Sequence, residues 1–175
     1  MEKAYIIDQG KDFIWKIDMT ADTEAILNKV RKICMDIEVF ISYAHCDREI
    51  VQPLIKALSD RDYSVWTPDN KINAGDNLTE QIYDAIIRCA YKGFYIVVIS
   101  EESIKSSFVT NELAFATSQG ALIVPVVIGN PNIPDDIRAW IGKYQQVRLS
   151  PTEADFNWVG DMLDSVIAKK IANLS

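Results

Sequence analysis

Two stretches of this chain, Phe94–Ile99 (FYIVVI) and Ala121–Ile128 (ALIVPVVI), contain no charged residue. Each has the length of a single β-strand, and an unbroken apolar run of that length is typical of a strand that is buried on both faces. Both faces of a sheet are buried when helices cover it, which is the arrangement found in parallel sheets. The two runs therefore constrain the chain to an α/β fold with a central parallel sheet.

The rest of the pattern supplies the other elements of such a fold. Glu38–Ser42, Tyr63–Trp66 and Tyr144–Leu149 are strand-like, which brings the number of expected strands to five. Between the strands, apolar residues recur at helical spacing, and a closing helix is expected over Asp155–Asn173. Asp47 is placed to cap the first of these helices. Five strands separated by helices predict an α/β, flavodoxin-like, doubly wound five-stranded parallel sheet.

The first part of the chain differs from this alternation. Tyr5–Ile7 and Phe13–Ile17 flank a short polar stretch and predict a hairpin, and a helix is expected from about Thr20 to Cys34. We expect residues 1–35 to form an N-terminal extension of hairpin plus helix, and residues 36–175 to form the main domain.

Composition and charge argue against several partners and locations. The formal net charge of −7 opposes binding to a nucleic-acid backbone, which needs a basic face. The first residues do not form a signal peptide, and no stretch has the roughly 18 apolar residues of a membrane span. The cysteines Cys34, Cys46 and Cys89 are odd in number, which favours reduced thiols. We therefore expect a cytoplasmic protein with neither a nucleic acid nor a membrane as partner.

Several kinds of catalytic and metal site are excluded. His45 is the only histidine, so a metal site built on several histidines cannot form. The chain has neither of the glycine-rich motifs that bind dinucleotides and phosphates, G-x-G-x-x-G and G-x-x-x-x-G-K-[ST]. A Ser-His-Asp triad would have to use His45, and the G-x-S-x-G motif that would accompany it is missing. We therefore expect neither a metal nor a cofactor.

The expected topology places a candidate ligand site. In doubly wound sheets, ligands bind beyond the carboxyl ends of the strands, at the point where the strand order switches. In a flavodoxin-like order, that point lies between the first and third strands of the sheet. The site then includes Ser42–His45, the loop that begins at Trp66 and the loop that begins at Ser100.

Glu112 stands on a segment that allows two interpretations. Phe108, Glu112 and Phe115 are spaced four and three residues apart and share one helix face. The adjacent face is apolar and carries Val109 and Leu113. The helix dipole favours the ionised carboxylate at such a position, whereas apolar neighbours raise its pKa. The spacing alone fits either a glutamate that stabilises the first helical turn or one that faces a ligand.

Five segments of the chain carry motifs, namely Asp36–Tyr43, Leu58–Trp66, Ile72–Leu78, Phe94–Ser100 and Ser106–Leu113. In this order they resemble the motifs of Toll/interleukin-1 receptor (TIR) domains, of the type found in bacteria. The first resembles D-[VI]-F-[IL]-S-[YF], and the last resembles S-x-W-C-x-x-E-L. The resemblance implies a TIR domain over residues 36–175.

The resemblance also implies an activity. In catalytic members of this family, the glutamate of the last motif cleaves NAD+ at the nicotinamide–ribose bond, and Glu112 stands at that position. The tryptophan and cysteine of the same motif are Phe108 and Val109 here. NAD+ is then a substrate rather than a cofactor, and the domains associate with one another through TIR–TIR contacts. Compact bacterial members resemble the TIR component of anti-phage (Thoeris-like) defence, where a cyclic ADP-ribose isomer activates a separate effector protein.

Five residues are candidates for binding the substrate, and each has a structural alternative. Ser42 and Tyr43 offer hydroxyl or backbone groups, or they merely end a strand. His45 stands where the family is often basic and is a candidate for a phosphate contact. Trp66 either stacks on a flat ring of the ligand or caps the sheet edge. Phe108 keeps an aromatic ring at the position of the family's tryptophan.

The chemistry requires only one carboxylate. Nicotinamide in NAD+ is a cationic leaving group that departs neutral, so it needs no general acid, unlike the leaving oxygen of an ordinary glycoside. A carboxylate near the ribose stabilises the positive charge that develops there. Two alternatives stay open: a non-catalytic assembly module that uses the loop Thr67–Asn77, and a nucleoside deoxyribosyltransferase, which has a similar fold and also uses a glutamate.

Overall fold

The computed structural model describes residues 3–7, 14–18, 37–68, 77–149 and 156–172. Two compact units make up the chain, Met1–Met35 and Asp36–Ser175. In the first unit, β1 (Lys3–Ile7) and β2 (Ile14–Asp18) form an antiparallel pair. The helix predicted from Thr20 to Cys34 lies outside the described residues.

A five-stranded, all-parallel sheet forms the centre of the second unit. Its strands are β3 (Glu38–Ser42), β4 (Ser64–Trp66), β5 (Phe94–Ile99), β6 (Ile123–Ile128) and β7 (Val147–Leu149). They are hydrogen-bonded in the order β4-β3-β5-β6-β7, with the switch in strand order at β3 and β5. This is the flavodoxin-like order, so the predicted fold is confirmed. The two charge-free runs form β5 and β6, in which every residue is buried.

Helices cover both faces of this sheet. In the described ranges they are α1 (Arg48–Ser59), α2 (Leu78–Lys92), α3 (Ser107–Ser118), α4 (Asp135–Ile141) and α5 (Asn157–Ala172). α1 and α5 pack on one face, and α2, α3 and α4 pack on the other. The sequence pattern does not predict α4, because this short helix buries only Ile137 and Ile141 and so presents no apolar stripe. Among the helices in the described ranges, none has the length and apolar character needed to cross a lipid bilayer.

The side chains of the central strands alternate between the two halves of the core. Val39 and Ile41 belong to the half beneath α1 and α5. Phe40 belongs to the other half, where its ring stacks between the rings of Trp66, at 4.9 Å, and Tyr95, at 5.4 Å. This column of aromatic rings fills the face of the sheet that α2 and α3 cover.

Asp47 is the N-cap residue of α1, as predicted, but its side chain makes no capping hydrogen bond. The physical reason is the 3₁₀ turn His45–Asp47, from which the carboxylate reaches the end of β5 and accepts a hydrogen bond from Ser100 Oγ at 2.5 Å. Ser100 Oγ also accepts hydrogen bonds from the backbone N–H groups of Glu102 and Ser103. Burial raises the pKa of Asp47, and the Ser100 hydrogen bond opposes that change. This buried network ties the start of α1 to the loop that follows β5.

Ser100→Ala is expected to destabilise the domain by about 2–3 kcal/mol, because it leaves a buried carboxylate and two backbone N–H groups without their partner. For a domain of this size, such a loss lowers the thermal midpoint by roughly 5–10 °C. Ser118→Ala is the matched control, since its hydroxyl bonds Phe115 at an exposed position, and its cost is expected to be under about 0.5 kcal/mol. Equal midpoints for the two variants in differential scanning calorimetry would contradict the structural role of the network.

Candidate functional site

Glu112 is held in place by the way α3 begins and packs. Ser106 is the N-cap of this helix, and its side chain accepts a hydrogen bond from the backbone N–H of Val109 at 3.4 Å. Val109 and Leu113 pack into the core and fix the rotation of the helix about its axis. Glu112 lies between them in sequence and is only 6% exposed, so its carboxyl group enters the space between α3 and the sheet.

Ser42 is the partner of this carboxyl group. It is the last residue of β3, is fully buried, and donates a hydrogen bond from Oγ to Glu112 Oε2 at 2.5 Å. The two residues are 70 positions apart in sequence, and the parallel sheet brings them together where β3 ends beneath α3. The spacing of Glu112 fits a surface residue of a first helical turn equally well, but the structure makes it a buried, hydrogen-bonded carboxyl.

Burial also controls the charge of Glu112. It raises the pKa of the carboxyl from an ordinary value of 4.5 to about 7, and the hydrogen bond from Ser42 opposes this by favouring the ionised form. Of the two opposing effects expected from the sequence, desolvation sets the direction of the shift, and Glu112 lies beyond the first turn of α3, where the helix dipole would favour its charge. A carboxyl with this pKa changes its charge in the neutral pH range, which is a property of catalytic acids and bases.

Glu112 borders a cavity of about 200 Å³. The cavity is lined by Tyr43, His45, Pro68, Leu78, Ile82, Ser106, Phe108 and Glu112. It lies beyond the carboxyl ends of β3 and β4, and residues that follow β5 complete its wall, so it is at the edge of the sheet where ligands of such folds bind. Pockets that bury most of a drug-sized ligand have volumes of about 300–1,000 Å³, so this cavity accommodates only one part of a dinucleotide.

The structure brings together most of the residues that the sequence analysis selects. Tyr43, His45, Phe108 and Glu112 line one cavity. Ser42 lies behind the wall of this cavity, and it reaches the site only through its hydrogen bond to Glu112. Ser42 is therefore placed to orient the carboxyl group rather than to touch a ligand.

Trp66 requires a correction. Its side chain is 4% exposed, and its ring stacks on Phe40 at 4.9 Å with an angle of 18° between the planes. The residue is not part of the cavity lining. The reason is that Trp66 points to the face of β4 that packs on the Phe40 column, so its indole is used in the core and presents no face to a ligand.

Two apolar residues of the cavity wall, Leu78 and Ile82, lie outside the segments that the sequence predicts for the site, whereas Pro68 belongs to the predicted loop that begins at Trp66. Leu78 and Ile82 belong to the apolar stripe of α2, which predicts a core position for both. Ile82 is indeed buried, but Leu78 at the first turn of the helix is 37% exposed. The sequence feature that could have identified Leu78 as a site residue is its position directly after the loop of the third motif, at the edge of the expected ligand site. Residues 69–76 of that loop lie outside the described ranges.

The cavity opens beside a group of exposed apolar side chains. Phe108 and Leu78 both line the cavity and are 73% and 37% exposed. Tyr83 is also exposed, and it packs its ring against the half-buried Phe115 at 4.4 Å. We call these four residues the apolar rim.

As for metals, the described part of the chain groups no three histidine, cysteine, aspartate or glutamate side chains in a way that could hold an ion.

Comparisons with known proteins agree with this architecture. Among solved structures, the chain is similar to a metazoan TIR-STING receptor from C. gigas in complex with 2',3'-cGAMP, with a TM-score of 0.58 and 19% identity, covering 72% of this chain and 39% of that one. It is also similar to the TIR domain of a Toll-related receptor from Hydra magnipapillata, with a TM-score of 0.53 and 20% identity, covering 77% of this chain and 94% of that one. No curated protein sequence matches the chain significantly.

Structural similarity at about 20% sequence identity shows only that the fold is shared, whereas a match to a family model shows which family the chain belongs to. The chain spans less than half of the TIR-STING receptor and nearly the whole of the Hydra domain. The family model of the TIR domain matches residues 39–159, which is more than half of the 175 residues. This match includes all but the first residue of β3, every residue that lines the cavity, and Glu112. The chain therefore belongs to the TIR domain family.

Proposed function

We propose that this chain cleaves NAD+ at the nicotinamide–ribose bond, with Glu112 as the catalytic residue. The observation that carries the proposal is the Glu112 carboxyl group, which is buried, hydrogen-bonded by Ser42 and in contact with a cavity beyond the carboxyl ends of the strands. Catalytic members of the TIR family use the glutamate of the motif that Ser106–Leu113 resembles. The geometry of the site and the family motif therefore both support Glu112 as the catalytic residue.

The proposed reaction needs little from the protein beyond a well-placed negative charge. As the bond between ribose C1′ and the nicotinamide nitrogen breaks, its electron pair goes to the nicotinamide ring, which leaves neutral. The ribose is left with positive charge, which the Glu112 carboxylate stabilises in a site that is partly shielded from water. Water, or a nucleophile of the same molecule, then bonds to C1′ and gives up its proton.

The cavity fits the reacting end of the substrate. Apolar walls from Ile82, Leu78 and the ring of Phe108 suit a flat nicotinamide ring. His45 is exposed at the same cavity, which supports a contact with a phosphate group outside it. We propose that the nicotinamide riboside half enters the cavity and that the adenosine half lies on the surface, because the cavity is too small for the whole molecule.

The departures from the family motif affect this site little. Val109, at the position of the family's cysteine, is 2% exposed and packs in the core rather than in the cavity. Phe108, at the position of the tryptophan, lines the cavity and keeps an aromatic ring. The catalytic proposal is therefore favoured over a non-catalytic assembly module, for which the apolar rim is the supporting observation.

Incubation of the purified chain with NAD+, followed by liquid chromatography and mass spectrometry, tests the proposal. We expect release of nicotinamide together with ADP-ribose or a product lighter than ADP-ribose by one water. A parallel incubation with a deoxynucleoside tests the deoxyribosyltransferase alternative, and we expect that substrate to stay intact. NAD+ that persists at every protein concentration would remove the proposal and leave the assembly module.

The activity is expected to rise as the pH increases through about 7. The reason is that only the ionised carboxylate stabilises the ribosyl cation, and burial raises the pKa of Glu112 to about 7. The initial rate of nicotinamide release should therefore be half-maximal near pH 7 and level above about pH 8. His45 also faces the cavity, so the profile is repeated with His45→Gln. A profile that flattens when His45 is replaced would contradict the assignment to Glu112.

The rate per molecule is expected to rise with protein concentration. The cavity of a single chain is open at Phe108, and a second copy that covers the apolar rim would shield the reacting ribose from water. Tyr83→Ser should weaken the concentration dependence. Tyr91→Ser is the control, because Tyr91 is exposed about 12 Å further along α2. A strictly proportional rate from a monomer over a wide concentration range would contradict self-association.

The product decides what the activity is for. We propose that an assembled, covered site favours capture of ribose C1′ by the adenine or a hydroxyl of the same molecule, which gives a cyclic ADP-ribose isomer. Such a product would act as a signal to a separate effector, as in anti-phage defence of the Thoeris type. A cytoplasmic location fits this role, and Cys46 and Cys89 are free thiols in the described part of the chain. Linear ADP-ribose as the only product of assembled protein would reduce the function to NAD+ depletion.

A further inference from the structure

The packing of Tyr95 does not explain why this residue has a hydroxyl group. The residue lies in β5, its side chain is completely buried, and its ring stacks on Phe40 with an angle of 12° between the planes. Among the described residues, its hydroxyl has no hydrogen-bond partner. A phenylalanine would make the same ring contacts without burying a polar atom, and buried hydroxyl groups in proteins are nearly always hydrogen-bonded.

Tyr95 lies on the same face of the sheet as Ser42, and its hydroxyl is influenced by both Ser42 and Glu112. Tyr95 is paired with Phe40 across the sheet, and Ser42 lies two residues beyond Phe40 on the same face, toward the carboxyl end. Burial and then the negative charge of Glu112 raise the pKa of Tyr95 well above its usual value, and the nearby Ser42 hydroxyl lowers it. The two hydroxyl groups are therefore close, although they do not meet the geometry of a hydrogen bond in this conformation.

A small shift of the Ser42 or Tyr95 side chain would complete a chain of hydrogen bonds. A serine hydroxyl can donate one hydrogen bond and accept two. Ser42 uses its donor on Glu112, so its oxygen is free to accept from a phenol without loss of that bond. Since Tyr95 is completely buried, its hydroxyl cannot touch a ligand in the cavity, and any effect on the site has to pass through Ser42.

We propose that Tyr95 is a positioning residue for Glu112: its hydroxyl donates to Ser42 Oγ while Ser42 donates to the carboxylate. This inference adds a residue to the proposed catalytic site, and it rests on the proposed function only for its effect on turnover. Successive hydrogen bonds polarise one another, so the phenol strengthens the bond from Ser42 to the ionised carboxylate. Tyr95 thereby keeps Glu112 in the charged and oriented form.

The relay makes a prediction about the pKa of Glu112, so the other groups that face this carboxyl matter. Among the described residues, Tyr43 and His45 line the same cavity from the end of β3 and the turn that follows it. α2 contributes only the apolar residues Leu78 and Ile82 to this cavity. Removal of the Tyr95 hydroxyl changes none of these groups, so a change in the pKa of Glu112 in that variant reports the relay.

The pKa of Glu112 can be measured without substrate, by NMR of protein labelled with ¹³C at the glutamate carboxyl groups, with Glu112→Gln to assign the signal. We expect Tyr95→Phe to raise it by about half a pH unit. The matched control is Tyr144→Phe, since the Tyr144 hydroxyl donates to the carbonyl of Ala121, on a different strand connection. The control should leave the pKa of Glu112 unchanged.

A double variant separates a relay from an independent effect. Ser42→Ala should raise the pKa of Glu112 by more than Tyr95→Phe does, and the combination should equal Ser42→Ala alone, because the phenol acts only through Ser42. At pH 7, Tyr95→Phe should lower kcat for NAD+ cleavage about twofold with KM unchanged, and the loss should vanish above pH 8.

An unchanged Glu112 pKa in Tyr95→Phe overturns the proposal, and so does a double variant in which the two effects add. Because the NMR measurement does not depend on turnover, it judges the relay even if no variant cleaves NAD+. Intact NAD+ in all variants, together with the expected pKa changes, would remove the proposed function and leave the positioning role of Tyr95 in place.

Discussion

Glu112→Gln is expected to reduce NAD+ cleavage by at least about 10²-fold without weakening the fold. Glutamine keeps the length of the side chain and an oxygen that accepts from Ser42, but it carries no charge to stabilise the ribosyl cation. Removal of one group that stabilises developing charge in a transition state costs rates of this order. The measurement is the rate of nicotinamide release at pH 8, where the wild-type carboxyl is ionised. Cleavage at the wild-type rate would sink the role of Glu112.

The same variant should also be more stable at high pH than the wild type. The pKa of Glu112 is about 7 in the folded chain and about 4.5 when the group is exposed to water. Below pH 4.5 both states hold the proton, and the group does not change the free energy of unfolding. Between pH 4.5 and 7 the unfolded chain loses the proton first, so stability falls as the pH rises. Above pH 7 the cost of the buried charge reaches its full value, at most about 3 kcal/mol.

A glutamine side chain has no proton to lose, so Glu112→Gln should raise the thermal midpoint by a few degrees at pH 8 and have little effect at pH 4.5. Glu80→Gln is the control, because Glu80 is an exposed glutamate in the first turn of α2, and its midpoint should follow the wild type at both pH values. A variant that is less active and more stable is the result expected of a functional residue that is kept at a cost to the fold. Equal stability of wild type and Glu112→Gln at pH 8 would mean that the carboxyl is better solvated than its burial indicates.

The sheet could be predicted from the sequence because its signal is local. Phe94–Ile99 and Ala121–Ile128 are apolar throughout, and only a strand that is covered on both faces buries every side chain of such a run. The order of the strands follows from the chirality and short connections of parallel units, which leave few topologies. Glu112 itself was predicted through its motif, since its spacing alone did not separate a functional carboxyl from one that stabilises a helix.

The missing parts of the site depend on contacts between distant residues. Whether Ser42 touches a ligand or a carboxyl group 70 residues away depends on how α3 is rotated against β3, and no single segment carries that information. The position of Trp66 could not be predicted for the same reason. An aromatic residue at a strand end can stack on a ligand or pack in the core, and here the ring of Phe40 on the neighbouring strand stacks on it in the core. Asp47 satisfies the sequence rule for a helix cap, yet Ser100 is the stronger competitor for its carboxylate.

Gly93→Ala is expected to prevent stable folding, although the φ of Gly93 is negative. Gly93 joins α2 to β5, and a Cβ added there would lie 1.7 Å from the backbone oxygen of Glu38 and 2.8 Å from its carbonyl carbon. Both atoms belong to the backbone of β3, so no side-chain rotation relieves the contact. The neighbouring strands would have to separate at Val39 and Phe94, where their pairing begins. Such overpacking costs more than the roughly 1–3 kcal/mol of an ordinary core insertion, because backbone has to move.

The separation would also reach the site, since β3 ends at Ser42 and aligns the hydroxyl with Glu112. Any Gly93→Ala protein that folds should therefore have a lower urea midpoint and a lower rate of NAD+ cleavage together. Gly120→Ala separates this cause from the conformational freedom of glycine, because Gly120 has φ of +70° and no atom within 4 Å of an added Cβ. Its cost should be only about 1–2 kcal/mol, that of a left-handed alanine, with the rate unchanged. If Gly93→Ala were no more destabilising than Gly120→Ala, then β3 and β5 could not approach as closely as the structure describes, and the alignment of Ser42 with Glu112 would lose its basis.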